Sequence, residues 1–192
     1  SPVPGGGGTA ALTGALGTAL SSMVSNYSMG KKTLVQYKEQ HERIIQRGEF
    51  IRNKLIELID KDAENFEPLS KAYGLPSNTD EEKQYKNKVM EDCLKTACSA
   101  PLEMLNYIYE AILLHKELLN ISSKIMISDV GVGVECLRAA LNSAYLNILI
   151  NIKLIKSRDK INQPENYKNI EVDYKNMTFN YPSKFKRFIN KI

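Results

Sequence analysis

A chain of 192 residues, 43% of them apolar and 25% charged, is long enough to bury one core and has the makeup of an ordinary globular protein. Its net charge of +4 is mild and dispersed, which suits anionic small molecules and argues against nucleic acid as a partner. Cys93, Cys98 and Cys136 include no C-x-x-C pair, so they read as reduced structural thiols of a cytoplasmic protein rather than a disulfide framework.

The chain opens SPVPGGGGTAALTGALGTALSSM, four glycines running into a helix of small residues predicted over about residues 10–28. No charge precedes Lys31, yet residues 9–30 mix Ala, Gly, Ser, Thr and Asn with few large apolar side chains. That is too polar for a membrane span, which wants about 20 strongly apolar residues. Ala11, Ala15 and Ala19, with Gly14 and Gly17 beside them, form a face that lets neighbouring helices approach closely, as at the centre of a bundle. Nucleotide loops fit poorly. The single Gly-Lys pair, Gly30-Lys31, is followed by Lys32 rather than Ser or Thr, and no strand precedes the glycines. Two readings of the glycines remain. They bring backbone close to a ligand, with the unpaired N–H groups of the helix start turned toward it, or they are a flexible entry capped by Thr9.

A second helix is predicted from Gln40 to Tyr73, with Ile44, Ile51, Leu55, Leu58, Ile59 and Phe66 at helical spacing and Gly74 and Pro76 stopping it. Within LIDKDAENF, Asp60 and Lys61 turn outward while Asp62 falls on the edge of the apolar face, where a carboxylate is either paired structurally or kept for chemistry. Thr79 and Glu82 stand in capping-box order ahead of a third helix ending near Ser99. Pro101 kinks that helix or opens the next, which runs to Asn120. Ser128 or Asp129 then caps a long apolar helix. On it Asn147 and Asn151 share a face and need a partner, either another helix or a polar ligand. His41 and His115 stand alone, without the clustering that a metal site requires.

After Ser157 the sequence turns Asn-, Lys- and Tyr-rich, a partly irregular tail with a short basic helix from Ser183. The expected architecture is all-α: one domain over residues 1–192, a single bundle of about five or six helices, with a less regular C-terminal tail from 157 to 192.

SPVPGGGGTAAL, GALGTALSSMV, LIDKDAENF and the Ser-Asp pair ahead of AYLNILIN, in this order, resemble the cyclodeaminase/cyclohydrolase family of folate enzymes over about residues 1–155. The resemblance implies an all-α homodimer that binds tetrahydrofolate derivatives as substrate, needs no metal or other cofactor, and has a formiminotransferase as a candidate partner. It places the catalytic aspartate on Asp62. Substrate contacts fall on Pro4, Gly5, Gly6, Gly7, Gly30, Lys31, Ser128, Asp129, Asn147 and Asn151. The activity it favours is formimidoyltetrahydrofolate cyclodeamination, with methenyltetrahydrofolate cyclohydrolysis as the alternative and a folate-binding or scaffold protein as the non-enzyme alternative. Three departures stand out. Gly8 occupies a position where many members have Ser, Ser122-Ser123 stands for a Gly-Asn pair, and the tail lacks a long closing helix. The family's segment ahead of the glycines is also missing, which implies a chain beginning after a first helix.

Overall fold

Small residues let α1, Gly6–Met29, sit against all of its neighbours. The structure, a computed structural model, describes residues 4–155. They build four long helices: α1, α2 (Lys38–Tyr73), α3 (Asp80–Ile121) and α4 (Ile127–Leu154), with short 3-10 turns at Lys32–Tyr37 and Lys124–Met126. The helix count is below the five or six expected because α3 runs unbroken through Pro101. A proline in a helix interior costs about 3 kcal/mol. Burial of Leu94, Ala97, Met104, Leu105 and Ile108 on either side outweighs it. The predicted capping box starts α3: Glu82 N–H donates to Thr79 Oγ1 at 3.2 Å, and Thr79 N–H returns to Glu82 Oε2 at 3.2 Å.

Consecutive helices are antiparallel. Arg47 and Lys61 of α2 pair with Glu110 and Glu103 of α3, so rising numbers on one helix meet falling numbers on the other. In the same way Gly48 lies against Ser21 and Gly14 against Leu55. Gly17 of α1 meets Gly133 of α4, and α4 also packs on α3, which closes a four-helix bundle. Gly17 is a packing requirement, because a Cβ there would lie 2.9 Å from the Gly133 carbonyl oxygen and 2.9 Å from Leu137. The core is made of Ile44, Ile51, Leu55, Leu118, Leu137 and their neighbours, with Ala10, Ala11 and Ala15 of α1 at its centre.

Two expected helix starts move. The glycines are not a loop ahead of the helix: Gly5 is the N-cap, Gly6 to Gly8 form the first turn, and Thr9 N–H closes it on the Gly5 carbonyl at 3.1 Å. Ser128 and Asp129 do not cap α4, since Met126 takes the N-cap position as the preceding 3-10 turn runs into the helix, leaving Asp129 in its first turn. An acidic side chain there still favours the positive end of the helix dipole. No described helix is long and apolar enough to cross a membrane. The irregular tail and basic helix expected from 157 onward lie outside the described residues, and with them the single-domain extent 1–192.

Candidate functional site

Unequal helix lengths create the site. Past the level of Asp62, α2 continues for eleven residues to Tyr73, about 16 Å at the helical rise, and α3 rises beside it. At that level α1 begins and α4 ends. A cavity of about 290 Å³ opens at this step. Gly5, Gly6 and Gly7 give one wall and Asp62, Ala63 and Phe66 a second. Ala97 and Pro101 of α3, then Asn147, Ile150 and Asn151 of α4, complete it.

Asp62 is half-buried at the edge of the apolar face of α2, with Asp60 and Lys61 exposed beside it, as helical spacing requires. Its carboxylate lies directly against the first turn of α1, so closely that a Cβ at Gly7 would overlap it. Burial pushes its carboxyl above the ordinary aspartate value, and the Gly8 N–H, which donates to it, draws it partly back. The result is a carboxylate that holds a proton more readily than an exposed one, within an apolar-walled cavity.

The two asparagines face the same space. Asn147 Nδ2 donates to the Ser143 carbonyl at 2.8 Å, so its oxygen is left as an acceptor, 3.3 Å from where a Cβ on Gly6 would stand. Asn151 lies against the buried Cys98 thiol, whose pKa burial raises and the Asn151 hydrogen bond lowers. Phe66, expected in the core, is 42% exposed and instead walls the cavity together with Ile150, 54% exposed. Both contribute apolar surface on which a flat heterocycle can lie. Ala97 and Pro101 were not anticipated as site residues. Pro101 carried the available signal, a proline that packing retains inside a helix next to the cavity.

Pro4 lies beside the cavity, folded over Gly8: a Cβ on Gly8 would stand 2.6 Å from Pro4 Cβ. A side chain at position 8 therefore requires Pro4 to move. The remaining expected residues are elsewhere. Gly30 is the C-cap of α1, and Lys31 lies over the Tyr27 ring at 4.5 Å, about 36 Å along α1 from Gly6. Ser128 and Asp129 start α4, about 28 Å along it from Asn147. Within one chain, then, Gly5 to Gly7, Asp62, Asn147 and Asn151 come together, whereas Gly30, Lys31, Ser128 and Asp129 sit at the opposite end of the bundle. Among the described residues no group of three or more His, Cys, Asp or Glu side chains is placed to hold a metal ion.

Comparison with known proteins adds chemistry to this geometry. The profile of the formiminotransferase-cyclodeaminase family matches residues 1–169. The chain is 40% identical over 158 residues to the methenyltetrahydrofolate cyclohydrolase of Methylorubrum extorquens, covering 82% of this chain and 76% of that protein. It is 31% identical over 153 residues to the formimidoyltransferase-cyclodeaminase of Mus musculus, covering 80% of this chain and 28% of that longer protein. The crystal structure of formiminotetrahydrofolate cyclodeaminase from Thermotoga maritima is similar with a TM-score of 0.73 at 26% identity, over 98% of this chain and 87% of that one.

Proposed function

This chain belongs to the formiminotransferase-cyclodeaminase family, and we propose that within it the protein is a methenyltetrahydrofolate cyclohydrolase, converting 5,10-methenyl- to 10-formyltetrahydrofolate. The observation that carries this reading is a half-buried carboxylate of raised pKa in an apolar-walled cavity, on a chain 40% identical to such an enzyme. The order expected from sequence is thereby reversed. The cyclohydrolase matches over 76% of its own length, whereas the bifunctional relatives match over 28% of theirs. Cyclodeamination stands second, supported by the likeness to the Thermotoga maritima enzyme.

Asp62 has a role at each stage of the hydrolysis. Its carboxylate stabilises the cationic methenyl carbon and takes one proton from the attacking water as the C–O bond forms. The tetrahedral carbon then collapses: the carbonyl forms, the bond to N5 breaks, and Asp62 returns its proton to N5 while the second water proton leaves to solvent. Proton transfer by a positioned side chain is worth about 10²–10⁴-fold. Phe66 and Ile150 bind the heterocycle and exclude water from its face, and the Asn147 oxygen orients it by accepting a hydrogen bond.

The purified chain is offered each substrate separately, following loss of methenyl absorbance and release of ammonia. Methenyl turnover that falls about 10²–10⁴-fold in Asp62→Asn is the expected result. Ammonia release alone would favour cyclodeamination, and turnover of neither would leave the folate-binding or scaffold reading.

The same reading includes a homodimer in a reducing cytoplasm, which three free thiols suit. Leu12, Leu16, Met23 and Tyr27 form an exposed apolar stripe on α1, continued by Val132, Leu146 and Ile150 on the adjacent α4. A two-fold contact on this face, with the axis across the helices, brings Gly30, Lys31, Ser128 and Asp129 of a second copy toward the cavity. Leu16→Glu is expected to yield a monomer by light scattering. Mixing inactive Asp62→Asn and Lys31→Ala chains then restores part of the activity if the site is shared.

A further inference from the structure

The four glycines meet four different surroundings. A Cβ on Gly5 would touch nothing within 4 Å. On Gly6 it would press on the Asn147 amide, and on Gly8 on Pro4. On Gly7 alone it would overlap the whole Asp62 carboxyl group, both oxygens and the carbon between them. Gly7 is also buried and helical, a position where glycine is a poor choice on propensity. Its surroundings supply the missing reason.

Resting on the functional reading above, we propose that Gly7 is a positioning residue: its bare Cα is the seat on which the Asp62 carboxylate is held against the first turn of α1. The glycine run thus serves the carboxylate as much as the substrate. All three of Gly5, Gly6 and Gly7 line the cavity, but only Gly5 has open space where a side chain would stand. At Gly7 the clearance is filled from within the protein, by a side chain arriving from α2. The seat fixes the carboxylate in two ways. Backbone blocks its retreat toward α1, and the Gly8 N–H donates a hydrogen bond to the carboxylate where it lines the cavity. Substrate contact as the reason for the glycines would make Gly5, the most open of them, the sensitive position. A carboxylate seat makes it Gly7.

The test is a double-mutant cycle read by thermal unfolding, together with kinetics. Gly→Ala inside a helix ordinarily raises stability. Gly7→Ala in the otherwise native chain is expected to lower Tm by several degrees. In an Asp62→Ala background, where the obstructing side chain is gone, the same substitution is expected to raise it. Kinetically, Gly7→Ala should lower kcat at least 10²-fold with KM changed less than threefold and should move the acid limb of the pH profile. Equal Tm shifts in the two backgrounds, or a Gly7→Ala enzyme with native kcat and pH profile, would overturn the assignment. If Gly7→Ala does not fold alone, folding of the Gly7→Ala/Asp62→Ala chain supports it and failure of both overturns it. Should the native chain turn over no folate, the functional reading fails, while the stability cycle still decides the seat.

Discussion

Burial holds the Asp62 carboxyl above its ordinary pKa, and the Gly8 N–H recovers only part of the shift. With a folded-state value above the unfolded value of about 3.9, a proton on Asp62 favours the folded chain. The group therefore contributes stability below the unfolded value and loses it as pH rises through the raised folded value. At neutral pH the ionised carboxylate works against folding. Asp62→Asn is accordingly expected to be more stable than the native chain in urea at pH 7, with the difference shrinking toward pH 4. A variant less stable at pH 7 would show that contacts in the folded chain stabilise the ionised carboxylate more than its burial costs. Activity runs the other way. The proposed hydrolysis would need the unprotonated carboxylate, so kcat is expected to decline as pH falls through a value above that of an exposed aspartate.

Among the helices, close approach is what the sequence signals best and helix ends are what it signals least. The small-residue face of α1 is legible from composition, and Ala11, Ala15, Gly14 and Gly17 all lie buried against neighbours. A Cβ on Gly17 would stand 2.9 Å from both the Gly133 carbonyl oxygen and Leu137, and 3.1 Å from Cys136. Gly17→Ala is expected to cost about 1–3 kcal/mol from overpacking, less about 1 kcal/mol of helix propensity recovered. Gly30→Ala at the open end of the same helix should be near neutral, and chemical denaturation separates the two. The ends are not legible locally because distant parts of the chain set them. Asp62 arrives from α2 to rest on glycines whose propensity argues against a helix. The hydrophobic pattern on both sides of Pro101 is stronger than the break it marks. The same reason hides half of the cavity. Asp62, Asn147 and Asn151 carry polar signals at apolar faces, whereas Ala97 and Ile150 line the cavity only because four helices of unequal length end at different heights.

Taken whole, the bundle encloses two histidines, His41 and His115, that the site does not use. Each is fully buried, with one ring nitrogen against a backbone carbonyl: His41 Nε2 at 3.2 Å from Ile121 and His115 Nδ1 at 2.9 Å from Ala111. A carbonyl can only accept, so the bonded nitrogen carries the proton and the other is bare. The bare Nε2 of His115 faces Gly133, where any side chain would collide with the ring. Burial lowers both pKa values, opposed at His41 by the Ile121 hydrogen bond and the nearby Glu117, and at His115 by the Ala111 hydrogen bond. Here the sign is opposite to that of Asp62. The unfolded chain takes up these protons first, at about pH 6.5, so the stability of the neutral rings is complete above that pH and is lost as pH falls toward the lowered folded values. Tm is therefore expected to stay level from pH 8 to about 6.5 and to fall between 6.5 and 5, before most carboxylates titrate. In a His41→Gln/His115→Gln chain, whatever its absolute stability, that slope should largely vanish. A native Tm that is flat down to pH 5 would show that the rings take up protons alike in the folded and unfolded chains, and would overturn this reading.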